Sequence, residues 1–229
     1  MGVYLAPSMM AIDFLNTREQ LEVIGRRGGI CHLDVMDGHF APNLGITPDL
    51  ARAFRASLSN RTEAHLMTDN PALWIDVFAG IGAEQITLHA ETIWNKAFRL
   101  FDRIEMFGCR PGIALCPATA IDSAAHLLHR VSLVTIMSVD IGYSGAKFIP
   151  EMISKVKRAD ELRRERGYTF EIQVDGGCGK DTYGALRAAG ADRFVTGSAL
   201  FSGGDANLDA AYDRVIREIE EATGEELIL

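Results

Sequence analysis

Eight short runs of apolar and β-branched residues recur along the chain, and a segment with helical spacing follows most of them. The runs are VYLAPS (3–8), ICHLDVM (30–36), TEAHLM (62–67), QITLH (85–89), GIALC (112–116), LVTIMSV (133–139), FEIQVDG (170–176) and RFVTGS (193–198). Near-continuous apolar runs are typical of parallel strands whose two faces are both covered. Eight such units in 229 residues predict an α/β fold, a single (β/α)8 TIM barrel.

Helix boundary signals between the runs support this prediction. Thr47 and Asn70 each precede a proline, as is typical of helix starts, and Pro150 opens a helical segment that should end at Gly167. A doubly wound open sheet is the main alternative, but no GxGxxG follows the first strand, and DGGCG comes too late in the chain. Because no linker or low-complexity segment interrupts the pattern, we expect one domain over residues 1–229.

Composition and charge argue against several kinds of partner. The formal net charge of -8 provides no excess of basic residues for nucleic acid or an anionic membrane, so a small-molecule ligand is expected. The four cysteines form no CxxC pair, which is typical of a reducing compartment. The N-terminus does not resemble a signal peptide, and no run approaches the about 18 apolar residues of a membrane span. These features predict a cytoplasmic protein.

The stretch HLDVMDGHFAPN (32–43) concentrates ionisable residues where a buried strand runs into a loop. His32 and Asp34 are two apart on that strand, so both side chains leave the same face. His65 ends the third strand and Asp175 the seventh, at the end of the barrel where catalytic groups converge. Two imidazoles and two carboxylates favour one divalent metal ion, Zn²⁺, Fe²⁺, Mn²⁺ or Co²⁺.

A structural explanation competes with the metal site at each of these positions. A lone histidine near a strand end is more often a hydrogen-bonded structural residue than a ligand. The combination favours a metal, because burying two carboxylates without a cation would cost several kcal/mol each. No Lys or Arg adjoins these strand ends in the sequence to neutralise them.

The motifs together resemble the ribulose-phosphate 3-epimerase family. They run from PSMM near the start to GSALF at 197–201 and include HLDVMDGHFAPN, HLM (65–67), HAE (89–91), SVDIGYSGAKF (138–148) and VDGG (174–177). The resemblance implies a metal-dependent barrel isomerase that inverts C3 of a ketose phosphate, with His32, Asp34, His65 and Asp175 on the family's metal-ligand positions. It also implies a homo-oligomer.

Inversion at C3 needs one group to remove a proton from one face and another to deliver a proton to the opposite face. Asp34 and Asp175, three strands apart around the barrel, are the predicted pair of catalytic acid/base residues. The enediolate between the two steps would be stabilised by the metal acting as a Lewis acid. Met36, Met67 and Met137 end strands beside this chemistry; they are either core residues or, as the resemblance implies, a dry wall against the reacting carbons.

A phosphorylated substrate requires an anion site, and backbone amides are the predicted donors because no arginine cluster lies at the strand ends. The candidates after strands seven and eight are Gly176, Gly177, Gly197 and Ser198. The loop after strand six would add Gly142, Ser144 and Gly145. Ser8 matches a family position near the substrate. The loop departs from the usual family pattern at Ile141, Tyr143, Ser144 and Ala146, which affects substrate preference more than the reaction.

The sequence leaves several activities open. HAETIWNKAFRLFDRI, FIPEM and RRERGYTFEIQVDGGC resemble the allulose-6-phosphate 3-epimerase branch, which ranks D-allulose 6-phosphate first and D-ribulose 5-phosphate second. A barrel metallohydrolase or aldolase would use the same ligand types. A non-catalytic sugar-phosphate-binding barrel is a further alternative. His89 and Glu91 match a family pair whose role is either structural or in support of the ligands, and the C-terminal run should be a last helix with a frayed end.

Overall fold

Eight parallel strands form the ring that the sequence predicts. The computed structural model describes residues 2–143 and 145–229. Its strands are β1 (Val3–Pro7), β2 (Cys31–Met36), β3 (Thr62–Met67), β4 (Gln85–His89), β5 (Arg110–Leu115), β6 (Leu133–Met137), β7 (Glu171–Asp175), β8 (Arg193–Thr196) and β9 (Leu227–Ile228). Strands β2 to β8 pair in chain order, and β8 pairs with β1. A parallel bridge between Ser8 and His32, and an Ile30 N–H that donates to the Leu5 carbonyl at 2.9 Å, join β1 to β2. The predicted TIM barrel is confirmed.

Helices cover the outside of this ring. They are α1 (Thr17–Arg27), α2 (Pro48–Ser57), α3 (Ile75–Ile81), α4 (Ala90–Ile93), α5 (Ala97–Met106), α6 (Met152–Arg166), α7 (Tyr183–Ala188), α8 (Ser198–Phe201) and α9 (Leu208–Thr223). The Thr47 hydroxyl accepts from the Leu50 N–H at 3.3 Å and caps α2, whereas α6 ends at Gly167 with φ of 66°. Between β5 and β6 the structure has two 3-10 helices, Ile121–Ala124 and Leu128–Arg130, instead of an α-helix. The Ser123 hydroxyl donates to the Ala120 carbonyl there, which favours a short turn.

Alternate residues of each strand separate the apolar core from the polar interior of the ring. Leu33 and Leu66 belong to one large apolar cluster between strands and helices, which extends from Val3 to Leu227. The residues that alternate with them along each strand, such as Glu63 and His65, point to the inside of the ring and contact other strands across it. Two smaller apolar clusters lie apart from it, one around Ala6 and Val195 and one around Met36 and Met67.

The chain's last strand corrects the sequence prediction of a frayed end. After α9 and the left-handed Gly224, residues Leu227 and Ile228 pair in parallel with Val3 and Tyr4 of β1. A strand of two residues is too short to show the alternation of apolar and polar residues by which strands are recognised in a sequence. Within residues 2–143 and 145–229, no helix combines the length and apolar character needed to cross a membrane.

Two glycine substitutions provide a matched test of this packing. A Cβ at Gly190, where φ is 111°, would lie 2.6 Å from the Asp160 Cβ, so we expect Gly190→Ala to lower the free energy of unfolding by more than about 1 kcal/mol. Gly80 lies in α3 with open space around it, and Gly80→Ala should raise the stability by up to about 1 kcal/mol. Urea unfolding midpoints measure both effects. A midpoint for Gly190→Ala equal to that of the unaltered protein would contradict the predicted clash.

Candidate active site

The carboxyl ends of β2, β3 and β7 bring the four predicted metal ligands together. Parallel register places Asp34 beside His65, and His32 lies two residues earlier on the same face of β2. His32 Nε2 lies 3.1 Å from Asp34 Oδ1 and 3.4 Å from Asp175 Oδ2. His65 Nδ1 lies 3.5 Å from Asp34 Oδ1 and 3.4 Å from Asp175 Oδ2. All four ligand atoms lie within 4.8 Å of one another.

The residues of this cluster fit a divalent cation. Both imidazoles are fully buried, and the carboxylates of Asp34 and Asp175 are nearly so. His65 Nδ1 and Asp175 Oδ2 are buried atoms without a hydrogen-bond partner in the described residues, although they face each other. Buried lone pairs that converge in this way are costly unless a cation or a proton lies between them. Two imidazole nitrogens and two carboxylate oxygens are a donor set that suits zinc or a similar ion.

Protons carry the balancing charge when no cation is present. Burial alone would lower the pKa of His32, but the carboxylates of Asp34 and Glu63 raise that pKa well above its usual value. Burial alone would raise the pKa of Asp34, but the imidazoles of His32 and His65 hold that pKa well below its usual range. The pKa of Asp175 is also lowered by the two imidazoles, against the effect of burial. A bound divalent cation would displace these protons.

Glu63 supports His32 from below, and sequence reasoning missed it. Its Oε2 lies 3.0 Å from His32 Nδ1, and its Oε1 accepts from the Thr87 hydroxyl at 2.6 Å. Gln173 donates to the same carboxylate at 3.2 Å, and the buried Arg193 guanidinium lies 3.6 Å away. These contacts keep the pKa of the fully buried Glu63 at about 2. Its place two residues before His65 on β3 was the available signal.

His65 is backed by a different group of residues. Its Nε2 lies 2.9 Å from His89 Nε2, and His89 Nδ1 lies 3.2 Å from Glu91 Oε2. Burial lowers the pKa of His89 to about 4, so this ring is neutral at physiological pH. Cys116 Sγ also lies 3.5 Å from His89 Nδ1, but burial and the neighbouring Glu91 raise the pKa of its thiol to about 12. Since His89 contacts the His65 ring directly, we interpret this group as support for His65.

The remaining predicted residues line one cavity above the cluster. It includes the methionines at the ends of β2, β3 and β6, together with Met10, which sequence reasoning missed. The predicted substrate-binding residues among those lining it are Ser8, Gly142, Gly145, Gly176, Gly177, Gly197 and Ser198, and the methionines are Met36, Met67 and Met137. Ser144 lies outside the described residues. The Ser8 hydroxyl donates to Asp34 Oδ2 at 2.7 Å, so it orients that carboxylate.

The loops after β2 and β6 are hydrogen-bonded to each other over this cavity. The Asn43 amide donates to the Gly142 carbonyl at 2.7 Å, and the Tyr143 hydroxyl donates to the Pro42 carbonyl at 2.8 Å. Gly142 has a φ of 120°, and a Cβ there would lie 2.8 Å from the Pro42 ring. The tyrosine that departs from the family pattern therefore adds a contact that phenylalanine could not make.

Fold and site together define a (β/α)8-barrel enzyme with a buried candidate site for a divalent metal ion. The chain belongs to the ribulose-phosphate 3-epimerase family, whose profile matches residues 4–201, and it is therefore an isomerase. The family predicted from the sequence motifs is confirmed.

Individual relatives agree with this family assignment, and a solved structure agrees with the fold. A ribulose-phosphate 3-epimerase of Treponema pallidum is 40% identical over 87% of this chain and 91% of its own length. The cytoplasmic isoform of ribulose-phosphate 3-epimerase from Oryza sativa subsp. japonica is 35% identical over 86% of each chain. The crystal structure of KGPDC from Streptococcus mutans superposes with a TM-score of 0.72 at 15% identity, over 97% of this chain and 99% of that one, and supports the barrel fold.

Removal of the Tyr143 hydroxyl tests the contact between the two loops. Tyr143→Phe deletes one solvent-accessible hydrogen bond worth about 0.5–1.5 kcal/mol, so we expect amide hydrogen exchange at Gly142 and Tyr143 to accelerate by roughly two- to tenfold. Tyr168→Phe, which precedes β7 at the opposite end of the barrel, is the control and should leave these amides unchanged. Identical exchange rates in Tyr143→Phe and the unaltered protein would contradict the expected role of this hydroxyl.

Proposed function

We propose that the protein is a ribulose-phosphate 3-epimerase that interconverts D-ribulose 5-phosphate and D-xylulose 5-phosphate. The observation that carries this proposal is the convergence of Asp34 and Asp175, from opposite sides of the cavity, on the same two buried imidazoles. The curated relatives support the five-carbon substrate, which reverses the ranking of the two sugars suggested by the sequence motifs. D-Allulose 6-phosphate is the second candidate, favoured by the three sequence stretches that resemble its branch.

We propose that one divalent metal ion, Zn²⁺, Fe²⁺, Mn²⁺ or Co²⁺, is held by His32 Nε2, His65 Nδ1 and one oxygen each of Asp34 and Asp175. The support is the set of buried atoms that face one another without other partners among the described residues. Such an ion would supply positive charge beside the C2 and C3 oxygens of the substrate. Ser8 and Glu63 hold Asp34 and His32 in place through their own hydrogen bonds.

The two aspartates are the proposed acid/base pair. One carboxylate removes the C3 proton from its face of the sugar, while the other, protonated, delivers a proton to the opposite face; the roles exchange in the reverse direction. The position of β2 and β7, three strands apart around the ring, lets the two groups flank a substrate that lies across the barrel mouth.

The rest of the cavity is suited to the remainder of the substrate. Met36, Met67 and Met137 are buried and form an apolar, polarizable wall, which excludes water from the enediolate carbons. The proposed phosphate site uses backbone amides of the glycine-containing turns after β7 and β8. Gly177 must be glycine, because φ is 62° and a Cβ would lie 2.8 Å from the Phe148 Cβ.

We also propose that the protein works as a cytoplasmic homo-oligomer. Leu15 and Leu44, which follow β1 and β2 at the same end of the barrel, are large apolar side chains that are mostly exposed in the single chain, as is expected of a surface that a second copy covers. The cytoplasmic isoform among the relatives supports the location. Analytical ultracentrifugation of the purified protein tests the assembly.

Conservative substitution of the acid/base pair tests the proposed mechanism. Asp34→Asn and Asp175→Asn remove a proton acceptor without changing side-chain size, so we expect each to lower turnover by about 10²- to 10⁴-fold. Asp49→Asn, at an exposed position in α2, is the control and should retain full activity. Near-normal C3 exchange in either of the first two variants would contradict the two-base mechanism.

A substrate panel in D₂O separates the candidate activities. D-Ribulose 5-phosphate and D-allulose 6-phosphate are each incubated with metal-loaded protein, and NMR measures deuterium at C3. We expect a kcat/KM at least about tenfold higher for the five-carbon sugar, a factor within reach of pocket contacts worth about 1–3 kcal/mol. Chelation should abolish the exchange, and added Zn²⁺ or Mn²⁺ should restore it. Carbon–carbon cleavage would instead indicate an aldolase, and binding without exchange would indicate a sugar-phosphate-binding barrel.

A further inference from the structure

His65 and His32 offer opposite ring nitrogens to the proposed metal site. His32 directs Nε2 toward the aspartates and Nδ1 toward the Glu63 carboxylate, whereas His65 directs Nδ1 toward them and Nε2 toward His89. A neutral histidine can bind a metal only through the nitrogen that carries no proton. The group behind each ring therefore decides whether the correct nitrogen is free.

We propose that Glu91 and His89 act as positioning residues that hold the proton of His65 on Nε2, and so keep Nδ1 available to bind a divalent metal ion. This inference rests on the metal site of the proposed function. Glu91 and His89 would thus fix the proton of His65, as the Glu63 carboxylate directly fixes the proton of His32 on Nδ1.

Hydrogen-bond donors and acceptors determine the direction of this relay. The carboxylate of Glu91 can only accept, so His89 Nδ1, 3.2 Å from Oε2, must carry the proton. His89 Nε2 in the neutral ring is then an acceptor. Since it lies 2.9 Å from His65 Nε2, the proton between the two rings must belong to His65. In the metal-bound protein, His65 Nδ1, which faces Asp34 and Asp175, is therefore the nitrogen that carries no proton.

The opposite arrangement is unfavourable at both ends of the relay. A proton on His89 Nε2 would leave the lone pair of its Nδ1 pointing at the Glu91 carboxylate, and no proton would lie between these two acceptors. The Cys116 thiol, 3.5 Å from the same nitrogen, is too weak a donor to compensate. His65 would then carry its proton on Nδ1, where the metal should bind.

Glu91 is itself fixed by the main chain after β5. The Cys116 N–H donates to Glu91 Oε1 at 2.9 Å, and the Lys155 ammonium donates to the Cys116 carbonyl at 2.6 Å. The side chain at position 116 is therefore not required to hold Glu91. The His65 and His89 rings are nearly parallel, with an interplanar angle of 19° and centroids 5.0 Å apart, which suits a hydrogen bond between their Nε2 atoms.

Two substitutions at His89 distinguish a relay from a merely structural role. The side-chain carbonyl of glutamine can accept the His65 Nε2 proton, whereas leucine has no acceptor. Zinc affinity, measured on folded protein by competition with a chromophoric chelator, should fall about 10- to 100-fold in His89→Leu and stay within about threefold of the unaltered value in His89→Gln. His126→Leu, on an exposed turn, is the control and should bind zinc normally.

A measurement on the unaltered protein does not depend on these variants folding. Ring ¹⁵N NMR of the zinc-loaded protein should show a proton on Nε2 of His65 and on Nδ1 of His89. A proton on Nε2 of His89, or zinc affinity in His89→Leu equal to that of the unaltered protein, would overturn the relay while leaving the proposed epimerase intact. Failure of the unaltered protein to bind zinc would instead overturn the metal site and the relay together.

Discussion

Two carboxylates that share one buried pocket are the constraint on which the rest of the site depends. Asp34 and Asp175 each lie within 3.5 Å of the same two imidazoles, and neither has ready access to water. Like charges at this spacing require a positive partner, whether protons on the histidines or a divalent cation. A second buried negative charge also has a positive neighbour, since the Glu63 carboxylate lies beside the Arg193 guanidinium in the interior of the ring. The barrel interior is thus organised around charge neutrality as much as around apolar packing.

The sequence predicted what depends on short repeats, because these are local properties. Strand positions followed from apolar runs, and the shared face of His32 and Asp34 followed from the two-residue period of a strand. The sequence did not predict contacts between residues that lie far apart in the chain. Arg193 lies at the start of β8, away from the strand ends that form the predicted site. Only the register of β8 with β7 shows that its side chain can reach Glu63. The loop contact between Asn43 and Gly142 spans 99 positions and has no sequence signature.

Substrate preference depends on the least regular parts of the molecule. The reaction needs only the strand ends, which all members of a barrel family can keep while their loops vary. In this chain the Tyr143 hydroxyl connects the β6 loop to the β2 loop, and the glycines at 142 and 177 allow backbone to pack closely around the cavity. The sequence stretches that resemble the allulose-6-phosphate branch and the named relatives therefore favour different sugars but the same proposed reaction.

The pairing of β1 with β8 and β9 sets the order in which the barrel can assemble. The first of the nine strands to leave the ribosome acquires these neighbours only when residues 193–196 and 227–228 have been synthesised. Until then β1 exposes unpaired N–H and C=O groups along its edge, and the ring cannot close. Such long-range pairing slows folding and lengthens the time during which an unpaired strand edge is exposed to aggregation. Completion of the catalytic cavity consequently comes late in biosynthesis, after nearly all of these strands have emerged.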